Sequence, residues 1–212
     1  LEDALLAVAG PGPGEGVVRT PARQAVALVG AALRYHQRED KPYWWGHFDR
    51  LGAHPTDWTE RRNVLRVDRP GAVEVVQDWH LPAGKKVERR VLRMVGRLEP
   101  GSDLRAGASA VGLYDPPLPD GLKTTVDGPR GWCDRMTVLD VAAEGAGGRV
   151  KDVLLVEETR ARGTAPFTEV PMALAPSGPI GTAPLRAAIR TLAERVLATA
   201  GTGPATVPAA DD

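Results

Sequence analysis

The chain predicts an α+β protein: a helical stalk, made of N-terminal helices plus one C-terminal helix, with a small antiparallel β-barrel. Three observations lead there. Apolar residues recur at helical spacing near both ends. Between residues 64 and 159 the pattern changes to short runs of strand character. Gly (24) and Pro (19) are about a fifth of the 212 residues, too many turn-formers for an all-helical bundle.

Residues 1–8 read as the tail of a helix belonging to an upstream element, and Gly-Pro-Gly-Pro-Gly at 10–14 as a linker. Thr20-Pro21 starts a helix with a hydroxyl cap and a proline at the first helical position. Val26, Val29, Leu33 and His36 share one face of it, so the helix is expected to run to about Asp40, where Pro42 interrupts it. A short helix is predicted over 43–51, stopped by Gly52, and another turn around Trp58.

Strands are predicted at 64–67, 72–80, 85–98 and 110–114. A hairpin over 132–142 and 150–159 turns on the glycine-rich residues 144–148. In the run 85–98, Val87, Arg89, Val91, Arg93, Val95 and Arg97 fall on one face. Glu88, Arg90, Leu92, Met94 and Leu98 fall on the other. Residues 160–179 read as an extended loop. Thr182 caps a last helix with Leu185, Ile189, Leu192 and Val196 on one face and Gly201 as its C-cap. The resulting domains are a linker with the tail of an upstream element (1–19), a helical segment (20–62), a barrel-like domain (63–160), an extended loop (161–181), a helix leading onward (182–200) and a disordered tail (201–212).

Lys+Arg 27 against Asp+Glu 27 gives no net charge, which excludes a globally basic nucleic-acid binder and makes any charge effect local. The single cysteine, Cys133, allows no disulfide framework and reads as a core residue. No apolar run approaches the ~20 residues of a membrane span, and the acidic start at Leu1 is no signal peptide; a cytoplasmic protein is expected. Opening on Leu rather than Met, the chain reads as a fragment.

Motifs for catalysis are missing. There is no GxSxG, no HExxH, no GxGxxG and no GxxxxGK[ST]. Adjacent Glu157 and Glu158 point to opposite strand faces and make no working carboxylate pair. Two concentrations of residues stand out instead. Tyr35, Tyr43, Trp44, Trp45, Phe48 and Trp58 lie within two dozen positions. They either stack on bases or form a satellite core, and Trp44, Trp45 and Phe48 are candidates for docking a neighbouring domain. The second concentration is positive. Arg61, Arg62, Arg66, Lys85, Lys86, Arg89, Arg90, Arg93 and Arg97 are candidates for nucleic-acid contact, with Arg69 among them in the same window. The competing reading is a solvated sheet face with cross-strand ion pairs.

The stretch LRYHQREDKPYWWGHFDRL at 33–51 resembles a segment of bacterial fusion proteins in which a RecB-like nuclease precedes a superfamily-one helicase of the Upf/Dna type. GPIGTAPLRAAI at 178–189 resembles the helix just upstream of the helicase phosphate loop, and GLYDPPLP at 112–119 sits where such proteins carry a barrel-like accessory region. The resemblance implies a non-catalytic accessory domain that contributes nucleic-acid binding, to single strands or junctions, and couples flanking nuclease and helicase domains. The phosphate-loop lysine, the acidic metal-binding box and the nuclease carboxylates have no counterpart here. ATP and a divalent metal are therefore expected only in the parent protein, with no cofactor, metal or membrane contact for this chain. The alternative is a protein–protein scaffold without nucleic-acid contact.

Overall fold

The computed structural model describes residues 1–58, 61–67, 71–126, 128–146, 149–179 and 181–201. The chain divides into two compact units. One is Leu1–Pro42 with the described part of Pro179–Asp212, and the other is Tyr43–Gly178.

The first unit is helical. Helix α1 spans Glu2–Ala9 and α2 spans Pro21–Leu33. The Thr20 hydroxyl accepts from the Arg23 amide at the start of α2, as its cap position dictates. Leu5 packs against Gly30, where a Cβ would lie 3.5 Å from that of Leu5, and Ala9 and Ala27 are buried as well. The chain bends at Arg34, eight residues before the expected interruption, and α3 then runs Tyr35–Gly52 with Pro42 inside it. Proline removes one intrahelical hydrogen bond but does not end the helix, and the two units meet in the chain at that residue. Among its described residues, helix α4, Ala183–Gly201, buries only Ala193 fully; Leu185 and Leu192 of its predicted apolar face stay exposed. Residues 202–212 of the predicted tail lie outside the described residues.

Among the described residues, the second unit holds eight strands: β1 (Leu65–Val67), β2 (Val73–His80), β3 (Arg89–Arg97), β4 (Ser109–Tyr114), β5 (Lys123–Thr124), β6 (Gly131–Ala146), β7 (Arg149–Thr159) and β8 (Ala173–Pro176). Antiparallel pairing in the order β1-β8-β4-β6-β7-β3, closed by β1 against β3, makes a six-stranded barrel. Strand β2 lies outside that circuit, paired to the same edge of β3 that β1 uses further along. Strand β5 extends the β6 edge. No helix among the described residues is long and apolar enough to cross a membrane.

Closure depends on a close backbone approach. Val67 is the register partner of Gly96, and a Cβ on Gly96 would stand 2.1 Å from the Arg66 carbonyl oxygen. Only glycine leaves room for that junction.

The lumen is filled by one side-chain face of each strand, including Leu92, Met94, Tyr114, Met136, Leu154 and Leu174. A second cluster lies on the opposite side of β4 and β8, where Val111, Leu113, Ala173 and Ala175 pack with Leu51 from the end of α3 and with Trp58. Strands β4 and β8 are thus buried on both faces. This explains why the predicted loop 160–179 contains a strand: Ala173, Leu174 and Ala175 are all buried, so no alternation marks them. The barrel extends past the predicted boundary at 160 for the same reason. The β6–β7 hairpin is also longer than expected, reaching Ala146 and resuming at Arg149; Gly147 and Gly148 of the predicted turn lie outside the described residues.

Cys133 is buried in the lumen beside Glu158. Burial pushes its thiol up to about 12, and the Glu158 charge adds to the effect. At neutral pH it is a thiol, as a core cysteine should be.

Candidate nucleic-acid interface

Strand alternation sorts the predicted cations before any partner is considered. On β3, Arg90, Leu92, Met94 and Gly96 turn into the barrel, while Arg89, Val91, Arg93 and Val95 turn out. Arg90 therefore leaves the candidate set. It is 1% exposed and directly opposite Glu158, also 1% exposed, on β7. Its Nε and Nη2 lie 2.8 and 2.7 Å from Glu158 Oε2. The other Glu158 oxygen accepts from the Tyr114 hydroxyl at 2.6 Å. Remaining guanidinium hydrogens reach the carbonyls of Phe167 (3.1 Å) and Glu169 (2.6 Å). The guanidinium carbon is 4.6 Å from the ring centres of both Trp79 and Phe167, two rings that themselves meet edge-on at 5.1 Å, so one cation faces an aromatic pair. Arg90 holds the barrel to the segment after β7 and presents nothing to a polymer. Burial and the nearby Glu158 charge raise the Tyr114 hydroxyl well above its ordinary value, so it stays a hydrogen-bond donor.

The outward cations of β3 are partly neutralised. Arg89 pairs with Glu157 at 2.6 Å, and Arg93 reaches Glu144 at 2.5 Å. These are the cross-strand pairs of a solvated sheet face. Just ahead of the barrel and in its first strand, arginines brace loops. Arg61 donates to the carbonyls of Trp58 (2.8 Å) and Thr56, Arg62 to Gly101 (3.2 Å), and Arg66 to Pro55 (3.3 Å). Three predicted contacts keep their charge open. Lys85, Lys86 and Arg97 are exposed and make no ion pair among the described residues. Arg69 lies outside the described residues.

Arg160 and Arg162 were missed by a charge count that stopped at residue 97. They follow β7 directly and share a cleft with Lys86. The available signal was the sequence Arg160-Ala161-Arg162-Gly163, two cations around a turn former.

The aromatic candidates divide by burial. Trp58 is buried, and its Nε1 donates to the Ala53 carbonyl at 3.2 Å. Tyr43 donates to the Pro176 carbonyl at 3.3 Å. Trp44, Trp45 and Phe48 remain 41%, 69% and 50% exposed, with Trp44 and Phe48 stacked at 6.0 Å. They line an apolar shelf on the barrel-side half of α3. The C-terminal end of that helix is held by Arg130, which donates to the carbonyls of Arg50 (3.1 Å) and Ala53 (2.6 Å) and pairs with Asp115 at 2.7 Å.

His47 sits beneath the shelf. It is buried, stacked on Tyr43 and edge-on to Trp132 at 4.9 Å, and neither ring nitrogen has a hydrogen-bond partner among the described residues. Burial, reinforced by the Arg50 charge, lowers its pKa from 6.5 to about 4. Between those values the unfolded chain binds a proton that the native protein refuses. Stability is therefore expected to fall on acidification from pH 6.5 towards 4, by up to about 1.4 kcal/mol per pH unit. His47→Phe should flatten this slope in urea titrations at several pH values. An unchanged slope would show that His47 titrates normally.

No protein-family model matches this chain, and neither curated proteins nor solved structures yield a match.

Proposed function

We propose that this chain is a non-catalytic accessory module of a helicase–nuclease, contributing nucleic-acid binding and domain coupling. The observation that carries the binding half is the set of open cations. In a chain of zero net charge, Lys85, Lys86 and Arg97 stand exposed without counter-charge among the described residues, while their neighbours Arg89 and Arg93 are paired. Cations left open beside neutralised ones suit phosphate contact, where released counterions drive association. The barrel and helices fit the architecture implied by the resemblance at 33–51. On this reading ATP and a divalent metal belong to flanking domains, and the setting is cytoplasmic.

A labelled single strand titrated at low and moderate salt tests it. Affinity should fall with salt, and reversing both Lys85 and Lys86 to Glu should weaken binding about tenfold at low salt and flatten the log–log salt slope by about 1.4. Salt-independent affinity, or none at low salt, removes the binding claim. The apolar shelf of Trp44, Trp45 and Phe48 favours a second reading, a scaffold that grips a protein neighbour. Trp45→Ala in the full-length protein should then impair coupling of the flanking activities while leaving strand affinity unchanged.

A further inference from the structure

Two tight turns lie beside a cleft of about 150 Å³ near the ends of β2 and β7, which is lined by Leu81, Lys86, Glu88, Arg160 and Arg162 among others. In the first, the Lys85 amide donates to the Pro82 carbonyl at 3.0 Å, with Gly84 at φ 72. In the second, the Thr164 amide donates to the Ala161 carbonyl at 3.4 Å, with Gly163 at φ 83. A positive φ at the third position is the geometry that demands glycine there. Lys86 directly follows the first turn and Arg162 lies within the second, and both line the cleft.

The charge in this cleft is unbalanced. Its one carboxylate, Glu88, is taken by Arg160 at 2.7 Å, and the Arg160 amide also bonds the Glu88 carbonyl at 3.0 Å. Lys86 and Arg162 have no such partner among the described residues. Arg160 Nε is buried without an acceptor among the described residues. Cations gathered in one concavity repel each other, and an anion relieves the repulsion. Pockets that enclose drug-sized ligands run to ~300–1,000 Å³; this cleft is smaller and suits a phosphate group better than a nucleoside.

We propose that this cleft seats one backbone phosphate of a single-stranded nucleic acid, held by Lys86 and Arg162, with Arg160 as the positioning residue that neutralises Glu88. The inference rests on the nucleic-acid reading above and adds Arg162 and Arg160 to it. A lipid headgroup is the weaker source. Only Leu81 offers a largely exposed apolar side chain beside the cleft, far less than a membrane-inserting face needs.

The test titrates the full chain with a labelled oligonucleotide of about 12 nucleotides at about 50 and 200 mM salt. Arg162→Glu should weaken binding about tenfold at the lower salt, and Arg162→Gln should flatten the salt slope by about 0.7. Arg105→Glu, an exposed charge reversal away from the cleft, should stay within about twofold. Circular dichroism should be unchanged in each, because Arg162 is exposed on a turn.

If the parent chain binds the strand and Arg162→Glu behaves like Arg105→Glu, the cleft is not the seat, while the nucleic-acid reading stands. If the parent chain fails to bind the strand, that reading falls, and inorganic tripolyphosphate then reports on the cleft alone. Arg162-dependent binding of tripolyphosphate, or of phosphatidylserine vesicles, without strand binding would overturn nucleic acid as the source.

Discussion

Gly96→Ala is expected to cost about 3 kcal/mol of stability and to lower the thermal midpoint by about 6–12 °C. A methyl group elsewhere in a strand would give back ~0.5–1 kcal/mol by restricting the unfolded chain. Here it would stand 2.1 Å from the Arg66 carbonyl oxygen. That neighbour is backbone, fixed by the pairs Arg66–Arg97 and Val67–Gly96, so it cannot rotate aside. The steric cost wins, and the seam that closes the barrel is what yields. Gly52→Ala is the control, because a Cβ there meets nothing within 4 Å. Similar midpoints for the two variants would disprove the tight junction.

Glu158→Leu is expected to cost about 3–5 kcal/mol, since it strands the Arg90 guanidinium in the lumen. Tyr114 would lose its acceptor at the same time. Arg90→Met should cost at least as much, because the Glu169 carbonyl and the Glu158 carboxylate both lose a donor. The double variant should be far less damaging than the sum of the two, which denaturant titration of all four proteins measures as a coupling energy. Additive losses would mean that the two groups do not act as a pair. The loop around Phe167 is expected to loosen whenever Arg90 is absent, because its backbone carbonyl and ring both rest on that guanidinium.

Particular residues show what the sequence made legible. Thr20-Pro21 announced α2 because a hydroxyl cap and a fixed φ are local properties. Strands β2, β3, β4, β6 and β7 were readable from runs bounded by Gly and Pro turns. Strand β8 was not, because Ala173, Leu174 and Ala175 are hidden on both sides by elements distant in sequence. Among the candidate contacts, a count of charges could not tell Arg90 from Arg89. The distinction was present in the pattern, since Arg90 shares a face with Leu92 and Met94, but which face becomes the lumen depends on the register with β7. Likewise Glu157 and Glu158 do face opposite ways, and their different partners follow from that alone. Pro42 misled for a simpler reason: a helix tolerates one missing hydrogen bond when its neighbours continue it.

The Tyr43 hydroxyl bonds the Pro176 carbonyl, and its ring lies 3.9 Å from where a Cβ on Gly178 would be. The first and last residues of Tyr43–Gly178 are therefore within one side chain's reach. A segment whose beginning and end nearly touch can be cut out and bridged by a few residues, or spliced whole into a new host. Such a layout marks Tyr43 and Gly178 as the ends at which to make the barrel as a free-standing polypeptide.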